Sequence, residues 1–303
     1  MSLRTVFMGT PEIAVPTLRV LAARTTVTCV VTQPDRPAGR GHHLQPPPIK
    51  CAALELGLPV WQPETLKGQV AATPLADADL FVVLAYGELL RQEILDLPRG
   101  ACVNLHASLL PRWRGASPLQ AVLRAGESET GVTVMRMVRG LDAGPMYLQE
   151  RMPISATTTL PMLHDAIAEL SAVALGRFLD HWPTIAAVPQ DDAQVTRCRK
   201  LLPEDGHLDF NRSGVELERW VRAFTPAPGC WALADGERMR ILALSPRATV
   251  TELPPGKVRI EGGELLVGCA DGACAISRLQ PTGKRAMATP EYLNGHRPPM
   301  SLS

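Results

Sequence analysis

The chain of 303 residues carries a formal net charge of +1, an apolar share of 46% and seven cysteines. That length accommodates two domains, and the apolar share supplies each with a core. The near-zero charge excludes a globally basic nucleic-acid binder, and the lack of any run of about 18 apolar residues excludes a membrane-spanning helix. Cys29, Cys51, Cys102, Cys198, Cys230, Cys269 and Cys274 are odd in number, scattered, and form no C-x-x-C. Such usage argues against a zinc ribbon or a thioredoxin-type site and for a reducing, cytoplasmic setting. The opening M-S-L-R-T-V-F-M-G-T runs into a strand without the pattern of a secretory signal.

Leu3–Met8 reads as a buried strand, and Gly9-Thr10-Pro11 turns it into a helix over Glu12–Arg24 with apolar Ile13, Val15, Leu18 and Leu21. Val27–Thr32 is the second strand, so the chain opens as a parallel α/β sheet. The G-T-P turn is not G-x-G-x-x-G and carries no dinucleotide signal. Residues 32–50 then hold five prolines and two glycines, which predicts a loop without regular structure. A long loop of that kind in a compact domain is commonly functional or disordered. Arg36 and Arg40 lie in it, and the adjacent His42 and His43 lack a carboxylate partner, a weak signal for metal.

Ile49–Leu56 reads as a helix ended by Gly57, followed by a short strand at Pro59–Trp61 and a helix near Leu66–Ala72. Asp79–Ala85 is a buried strand that ends at Tyr86-Gly87, and Glu88–Leu95 reads as helical. Ala101–His106 is the strand of most interest. Asn104 and His106 alternate on it, so both side chains leave one face. An amide donates a hydrogen bond; an imidazole donates one or accepts a proton. A lone histidine in an apolar strand is most often a satisfied structural residue. Here it has company: the loop Ser108–Pro111, the cations Arg112 and Arg114, and a single carboxylate, Asp142, between Gly140 and Gly144.

A helix follows at Ser117–Arg124, and Gly131–Val138 and Met146–Met152 read as antiparallel strands flanking the Gly140–Gly144 loop. Thr159–His181 is the longest helix, with Leu160, Leu163, Ile167, Leu170, Val173, Ala174 and Phe178 at core spacing. The absence of period beyond it predicts a linker over 184–206. Ser213 with Glu216 at capping-box spacing starts a helix at Gly214–Phe224. Short apolar alternations at Trp231–Leu233, Met239–Leu244, Lys257–Ile260, Leu265–Cys269 and Ala273–Leu279, separated by glycine or proline turns, predict a small β-barrel. The expected organisation is α/β with a mostly parallel sheet over 1–183, the linker, and the barrel over 207–303.

With these residues in view, the chain resembles the methionyl-tRNA formyltransferases over nearly its whole length. The resemblance rests on V-F-M-G-T-P-E-I-A-V-P (6–16), T-Q-P-D-R-P-A-G-R-G (32–41), V-N-L-H-A-S-L-L-P-R-W-R-G-A-S-P (103–118), E-T-G-V-T-V-M-R-M (129–137), G-L-D-A-G (140–144), R-A-F-T-P-A-P-G-C-W (222–231) and L-Q-P-T-G-K-R-A-M (279–287). Asn104, His106 and the distant Asp142 alone would imply only the broader group that uses 10-formyltetrahydrofolate. The proline-rich loop and the C-terminal β module narrow it. Asp209-Phe210 stands where that family has Asp-Trp, and Thr225-Pro226-Ala227 where it has Asn-Pro-Trp.

The resemblance implies a Rossmann-like catalytic domain, an OB-like tRNA-binding barrel, and a cytoplasmic enzyme, expected to be a monomer, that acts in translation initiation. It implies formyl transfer from 10-formyltetrahydrofolate to the α-amine of methionyl initiator tRNA, without a metal. The Asn104 amide and a protonated His106 would hold the oxyanion, and Asp142 would take the amine proton. Ser108, Leu109, Leu110 and Pro111 would line the folate site. Tyr86, Gly87, Leu89 and Leu90, at a strand's carboxyl end, where open α/β sheets place ligands, would wall the pterin, with helix core as the alternative for Leu89 and Leu90. Arg40 matches the arginine with which the family's loop reaches the acceptor end of the tRNA. Arg36, Arg112, Lys284 and Arg285 are the other candidates for phosphate contacts. Two rival readings are a formyltransferase acting on a small amine or nucleotide-sugar, and a non-catalytic RNA-binding protein, against which the intact triad stands.

Overall fold

The computed structural model describes residues 2–38, 43–68, 74–250 and 252–303. By internal packing the chain divides into two units. One comprises Met1–Pro118, Glu129–Pro153 and Leu163–Cys198; the other comprises Leu119–Ser128, Ile154–Met162 and Arg199–Ser303.

The first half of the chain contains β1 (Arg4–Gly9), α1 (Val15–Arg24), β2 (Thr26–Val31), β3 (Arg36–Ala38), β4 (His43–Gln45), α2 (Pro48–Glu55) and β5 (Val60–Trp61). Then come β6 (Leu80–Leu84), α3 (Gln92–Leu95), β7 (Ala101–His106), β8 (Arg114–Gly115) and α4 (Pro118–Ala125). They are followed by β9 (Glu129–Arg136), β10 (Met146–Pro153), α5 (Leu160–His181) and β11 (Arg197–Cys198). Seven of these strands form one sheet in the order β10-β9-β7-β6-β1-β2-β5. β5, β2, β1, β6 and β7 run parallel, and β9 is antiparallel to β7 and β10.

Strands covered on both faces must be apolar, which is why β6 reads as an unbroken hydrophobic run and β1 carries Val6, Phe7 and Met8 in succession. Every residue of β6 is buried. Val6, Met8, Cys29, Val31, Phe81, Val83 and Cys102 pack in one core cluster with Tyr86, Leu90, Ile94 and Leu95. The chain leaves β1 toward β2 on one side and returns to β6 on the other. The carboxyl ends of β1 and β6 therefore flank a topological switch point, the crevice that such sheets use for ligands. There the Thr10 hydroxyl donates to the Tyr86 carbonyl at 2.8 Å.

Several expectations need correction. The proline-rich segment is not devoid of regular structure: β3 and β4 pair as an antiparallel hairpin, Arg36 opposite Gln45 and Ala38 opposite His43. Proline is tolerated because an edge strand leaves one row of its backbone groups unpaired. Glu88–Leu95 is helical only from Gln92, and Tyr86–Leu90 is irregular chain. The helix expected near Leu66–Ala72 falls mostly outside the described residues, and Lys67–Gly68 form a turn. Val173, expected in the core, is exposed on α5. The 184–206 segment is not bare linker. Val188 and Met146 exchange two backbone hydrogen bonds at 2.8 Å, and β11 pairs in parallel with β8.

In the second unit α6 (Gly214–Phe224) opens on the expected capping box. The Ser213 hydroxyl accepts from the Glu216 N–H, and the Glu216 carboxylate accepts from the Ser213 N–H at 3.0 Å. β12 (Cys230–Ala234), β13 (Glu237–Arg247), β14 (Val258–Glu261), β15 (Glu264–Cys269) and β16 (Gly272–Pro281) form an antiparallel sheet in the order β12-β13-β16-β15-β14. β17 (Met287–Ala288) pairs with β16 and leads into α7 (Thr289–Gly295). Bulges near Ala243 bend β13. The sheet's two edges are then bridged by residues 300–303. Leu233 and Ser303 exchange backbone bonds of 2.6 and 3.1 Å, while Val258 donates to Met300 O and Leu302 to Gly256 O. Such bridging removes the free edges that an open sheet would expose.

Candidate active site

β7 lies between β6 and β9, with Asn104 opposite Val83 and Met135, and His106 opposite Thr133. His106 is 6% exposed and Asn104 is half-buried. His106 Nε2 lies 2.9 Å from the Trp113 carbonyl oxygen. A carbonyl only accepts, so Nε2 carries the proton and Nδ1 is the nitrogen that faces Asp142. The Nδ1 to Asp142 Oδ2 distance is 3.7 Å, an ion-pair distance that stops short of a hydrogen bond. The same carboxylate oxygen accepts from the Gly115 N–H at 2.8 Å. No hydrogen bond from a described residue engages the Asn104 carboxamide. The arrangement is a free amide donor and a buried imidazole next to a carboxylate already aimed by a backbone N–H.

Backbone geometry at the site is unusual. Ala85, Trp113 and Asp142 have φ of 51°, 61° and 50°. Left-handed non-glycine residues cost on the order of 1–3 kcal/mol and persist where neighbouring structure holds them. Thr196 and the adjoining β11 supply part of that hold. Trp113 N–H donates to Thr196 Oγ1 at 2.8 Å, Arg114 N–H to Thr196 O at 2.9 Å, and Ala116 N–H to Cys198 O at 3.0 Å. Gly115 must be glycine here: its φ is +125°, and a Cβ would stand 1.9 Å from Cys198 O. Gly144 is equally constrained, since a Cβ there would stand 1.7 Å from Arg136 O. Burial, reinforced by the Asp142 charge, pushes the Cys198 thiol up from its ordinary value, so this thiol stays protonated.

The loop after β7 is pinned to β9 and β10. Thr133 Oγ1 donates to Ser108 O at 2.7 Å and accepts from Leu110 N–H, and Gln149 donates to Leu110 O at 2.7 Å. Ser108 and Leu110 are buried, while Leu109 and Pro111 are half-buried. The Ser108 hydroxyl turns inward to the Arg112 carbonyl at 2.7 Å. The Tyr86–Leu90 group does not act as one wall. Tyr86 and Leu90 are core residues, 2% and 8% exposed, whereas Gly87 is exposed and Leu89 is 76% exposed. Among the described residues the buried Tyr86 hydroxyl has no hydrogen-bond partner, and burial with the neighbouring Glu88 charge pushes its pKa up.

Of the candidate phosphate contacts, Arg36 and Arg112 belong to the first unit and Lys284 and Arg285 to the second. Arg40 lies outside the described residues. Arg36 is exposed and paired with Glu64 at 3.1 Å. Arg112 is exposed, its guanidinium 5.8 Å from the Trp113 ring centroid. In the second unit Lys284 is exposed and Arg285 is paired with Glu291. Sequence reasoning missed a set on the barrel: Arg238 lies 4.1 Å over Trp231, which also stacks with His207 at 4.2 Å. Trp231, Arg240 and Gln280 are register neighbours there, on a cleft reaching Thr282 and Gly283. The period-2 pattern could have flagged Arg238 and Arg240 as sharing a face. Among the described residues there is no group of three or more His, Cys, Asp or Glu able to hold a metal, and no helix long and apolar enough to cross a membrane.

The sheet order, with a polar site at the end of β7 and an antiparallel barrel after it, is matched by known proteins. Residues 4–179 match the formyl transferase family and residues 200–297 the formyl transferase C-terminal domain. The chain belongs to the formyl transferase family. It is 45% identical over 308 aligned residues to a protein of Pseudomonas fluorescens SBW25 named methionyl-tRNA formyltransferase, covering 99% of this chain and 96% of that one. A protein of the same name from Ectopseudomonas mendocina is 44% identical, with 98% and 96% covered. Among solved structures, an N-formyltransferase of Helicobacter canadensis, in complex with folinic acid and dTDP-3-aminofucose, superposes with a TM-score of 0.69 at 16% identity, covering 91% of this chain and 98% of that one. At that identity the likeness concerns the fold.

Proposed function

We propose that this chain transfers the formyl group of 10-formyltetrahydrofolate to the α-amine of methionyl initiator tRNA, as a cytoplasmic monomer serving translation initiation. The observation that supports the reading is the pairing of His106 with Asp142 at the carboxyl end of β7, with Asn104 two residues earlier on the same strand. The relatives of the same name, aligned over almost the full chain, support it.

The amine attacks the formyl carbon, and the new C–N bond turns the carbonyl into an oxyanion. Asn104 donates to that oxygen, and so does His106 through Nδ1–H when both ring nitrogens carry protons, Nε2–H staying on the Trp113 carbonyl; preplaced donors of this kind are each worth about 3–4 kcal/mol of barrier. Asp142 accepts the proton the amine loses, and the proton returns to N10 as the C–N10 bond breaks. The 3.7 Å between His106 and Asp142 leaves the carboxylate oxygen unclaimed by the imidazole, so it is available to the incoming amine. Ser108–Pro111 present backbone groups to the folate, with exposed Gly87 and Leu89 on the adjoining strand end. No metal is needed for acyl transfer to an amine. In the first unit Arg36, Arg40 and Arg112 contact tRNA phosphates. In the second, Lys284, Arg285 and the Arg238–Arg240 face do so, with residues 1–183 as catalytic domain and 207–303 as tRNA-binding domain.

The deciding assay incubates the protein with 10-formyltetrahydrofolate and methionyl initiator tRNA, with an elongator tRNA as control. N-formylmethionine on the initiator alone is expected. Formylation of a nucleotide-linked amino sugar, with none on tRNA, would move the chain to the other branch of its fold. Arg40→Ala should weaken use of tRNA and leave folate binding intact; reduced folate affinity would remove the loop from tRNA contact.

A further inference from the structure

Beyond the three reacting side chains, the segment before β11 reaches the Asp142 loop. Gln190 sits there, half-buried and just past Val188, whose backbone is bonded to Met146. Its Nε2 donates to two carbonyls at once, Asp142 O and Gly144 O, each at 2.8 Å. Its Oε1 accepts from Arg114 Nε at 2.9 Å. Arg114 is itself 5% exposed, and its NH2 group also reaches Asp192 at 3.1 Å. Gly115, next in the chain, supplies the N–H that aims the Asp142 carboxylate.

We propose that Gln190 is a positioning residue that fixes Asp142 for its part in formyl transfer, and this rests on the proton-accepting role given to Asp142 above. The two carbonyls it holds flank Ala143 in a loop where Asp142 has φ +50°. A residue in that conformation relaxes unless its surroundings define it. Backbone carbonyls in a loop also need donors, and one carboxamide satisfies two of them. The third bond, to Arg114, ties the same carboxamide to the segment that holds the carboxylate oxygen. Gln190 thus fixes Asp142 from its main chain while Gly115 fixes it from its side chain. Both supports converge through neighbouring residues of β8. A glutamine is the chemistry this needs, since one end must donate twice and the other must accept from a guanidinium.

Gln190→Glu has nearly the same shape and keeps the acceptor for Arg114, but it lacks the two donors. Gln190→Ala removes the group altogether. Both variants should lower kcat by roughly 10- to 100-fold, with KM for 10-formyltetrahydrofolate and for methionyl-tRNA changing by less than about 3-fold, the pattern of a lost transition-state arrangement. The pH profile of kcat/KM should shift in Gln190→Glu. In an Asp142→Asn background the same substitutions should add no further loss, because Gln190 acts through Asp142. Wild-type kcat in Gln190→Glu would overturn the proposal, as would an equal loss with and without Asp142. If Asp142→Asn itself turned over normally, the catalytic reading would fail first, and that result is distinct from a failure of Gln190.

Discussion

Two segments of the first unit carry the side chains proposed above to meet substrate, and they are built in opposite ways. The loop from His106 to Gly115 is held at nearly every backbone group, by Thr133, Thr196, Cys198 and Asp142, and it contains residues forced into left-handed geometry. The β3–β4 hairpin is held at its foot. There Asp35 accepts from Lys50 Nζ at 2.7 Å and from Gln62 at 2.8 Å, while β4 beyond is exposed throughout. Chemistry on one carbon needs donors placed to fractions of an ångström. Capture of a long polyanion needs reach and charge, and tolerates looser placement.

The contrast is broken most severely at the loops of the proposed active site. Asp142→Asn should leave the fold intact, because the amide oxygen still accepts from Gly115 N–H, yet lower kcat by about 10³-fold, within the range for loss of a general base. Single-turnover formylation measures it; a near-normal rate would take Asp142 out of the reaction. Asn104→Ala should follow at about 10²–10³-fold in kcat, the loss typical of one oxyanion donor. Because that carboxamide has no bond among the described residues, its removal should leave the melting temperature almost unchanged. A large drop in stability together with intact kcat would make Asn104 structural.

Much of this was legible in the sequence, for reasons that differ by element. The buried strand β6 announced itself as an unbroken apolar run and β1 by its apolar Val6–Met8 centre, while on β7 Asn104 and His106 showed by alternation that they share a face. The Ser213 capping box placed α6 to the residue, because cap chemistry is local. The grip of Gln190 and Thr196 was hidden. It arises from chain more than 40 residues away in sequence, in a stretch whose lack of period read as linker. The left-handed Ala85, Trp113 and Asp142 were hidden too, since none is the glycine that would betray such a turn. The β3–β4 hairpin was misread because proline content argues against sheet interiors and says little about a two-stranded edge.

At the foot of the hairpin the expected effects are smaller. Asp35→Asn should raise KM for methionyl-tRNA by several-fold with folate KM unchanged, since it loosens the hairpin's attachment and touches nothing at β7. It should also alter acid stability. Hydrogen bonds from Lys50 and Gln62 hold the Asp35 carboxyl below its ordinary value of 3.8. A depressed folded value means the unfolded chain takes up the proton first. The stabilisation is therefore present above about pH 3.8 and lost as pH falls through the lower folded value. Denaturation at pH 6 and pH 3 should show wild type losing more stability than Asp35→Asn; equal losses would mean that Asp35 anchors nothing.

The smallest effect belongs to Arg36, and it tests whether the hairpin works by charge. Arg36 and Glu64 are 63% and 74% exposed, so their pair is worth about 0–1 kcal/mol and breaking it should barely move the melting temperature. Glu64→Gln nevertheless frees a guanidinium for phosphate. If Arg36 contacts the tRNA backbone, Glu64→Gln should lower KM for tRNA about 2-fold at low salt. Arg36→Ala should raise it, and should flatten the plot of log affinity against log salt by roughly 0.7–0.9, the slope of one phosphate contact. The pair of variants matters more than either alone, because a loop held away from RNA would show neither change. A salt slope identical in all three proteins would leave the hairpin without an electrostatic role and confine recognition in this unit to Arg112 and Arg40.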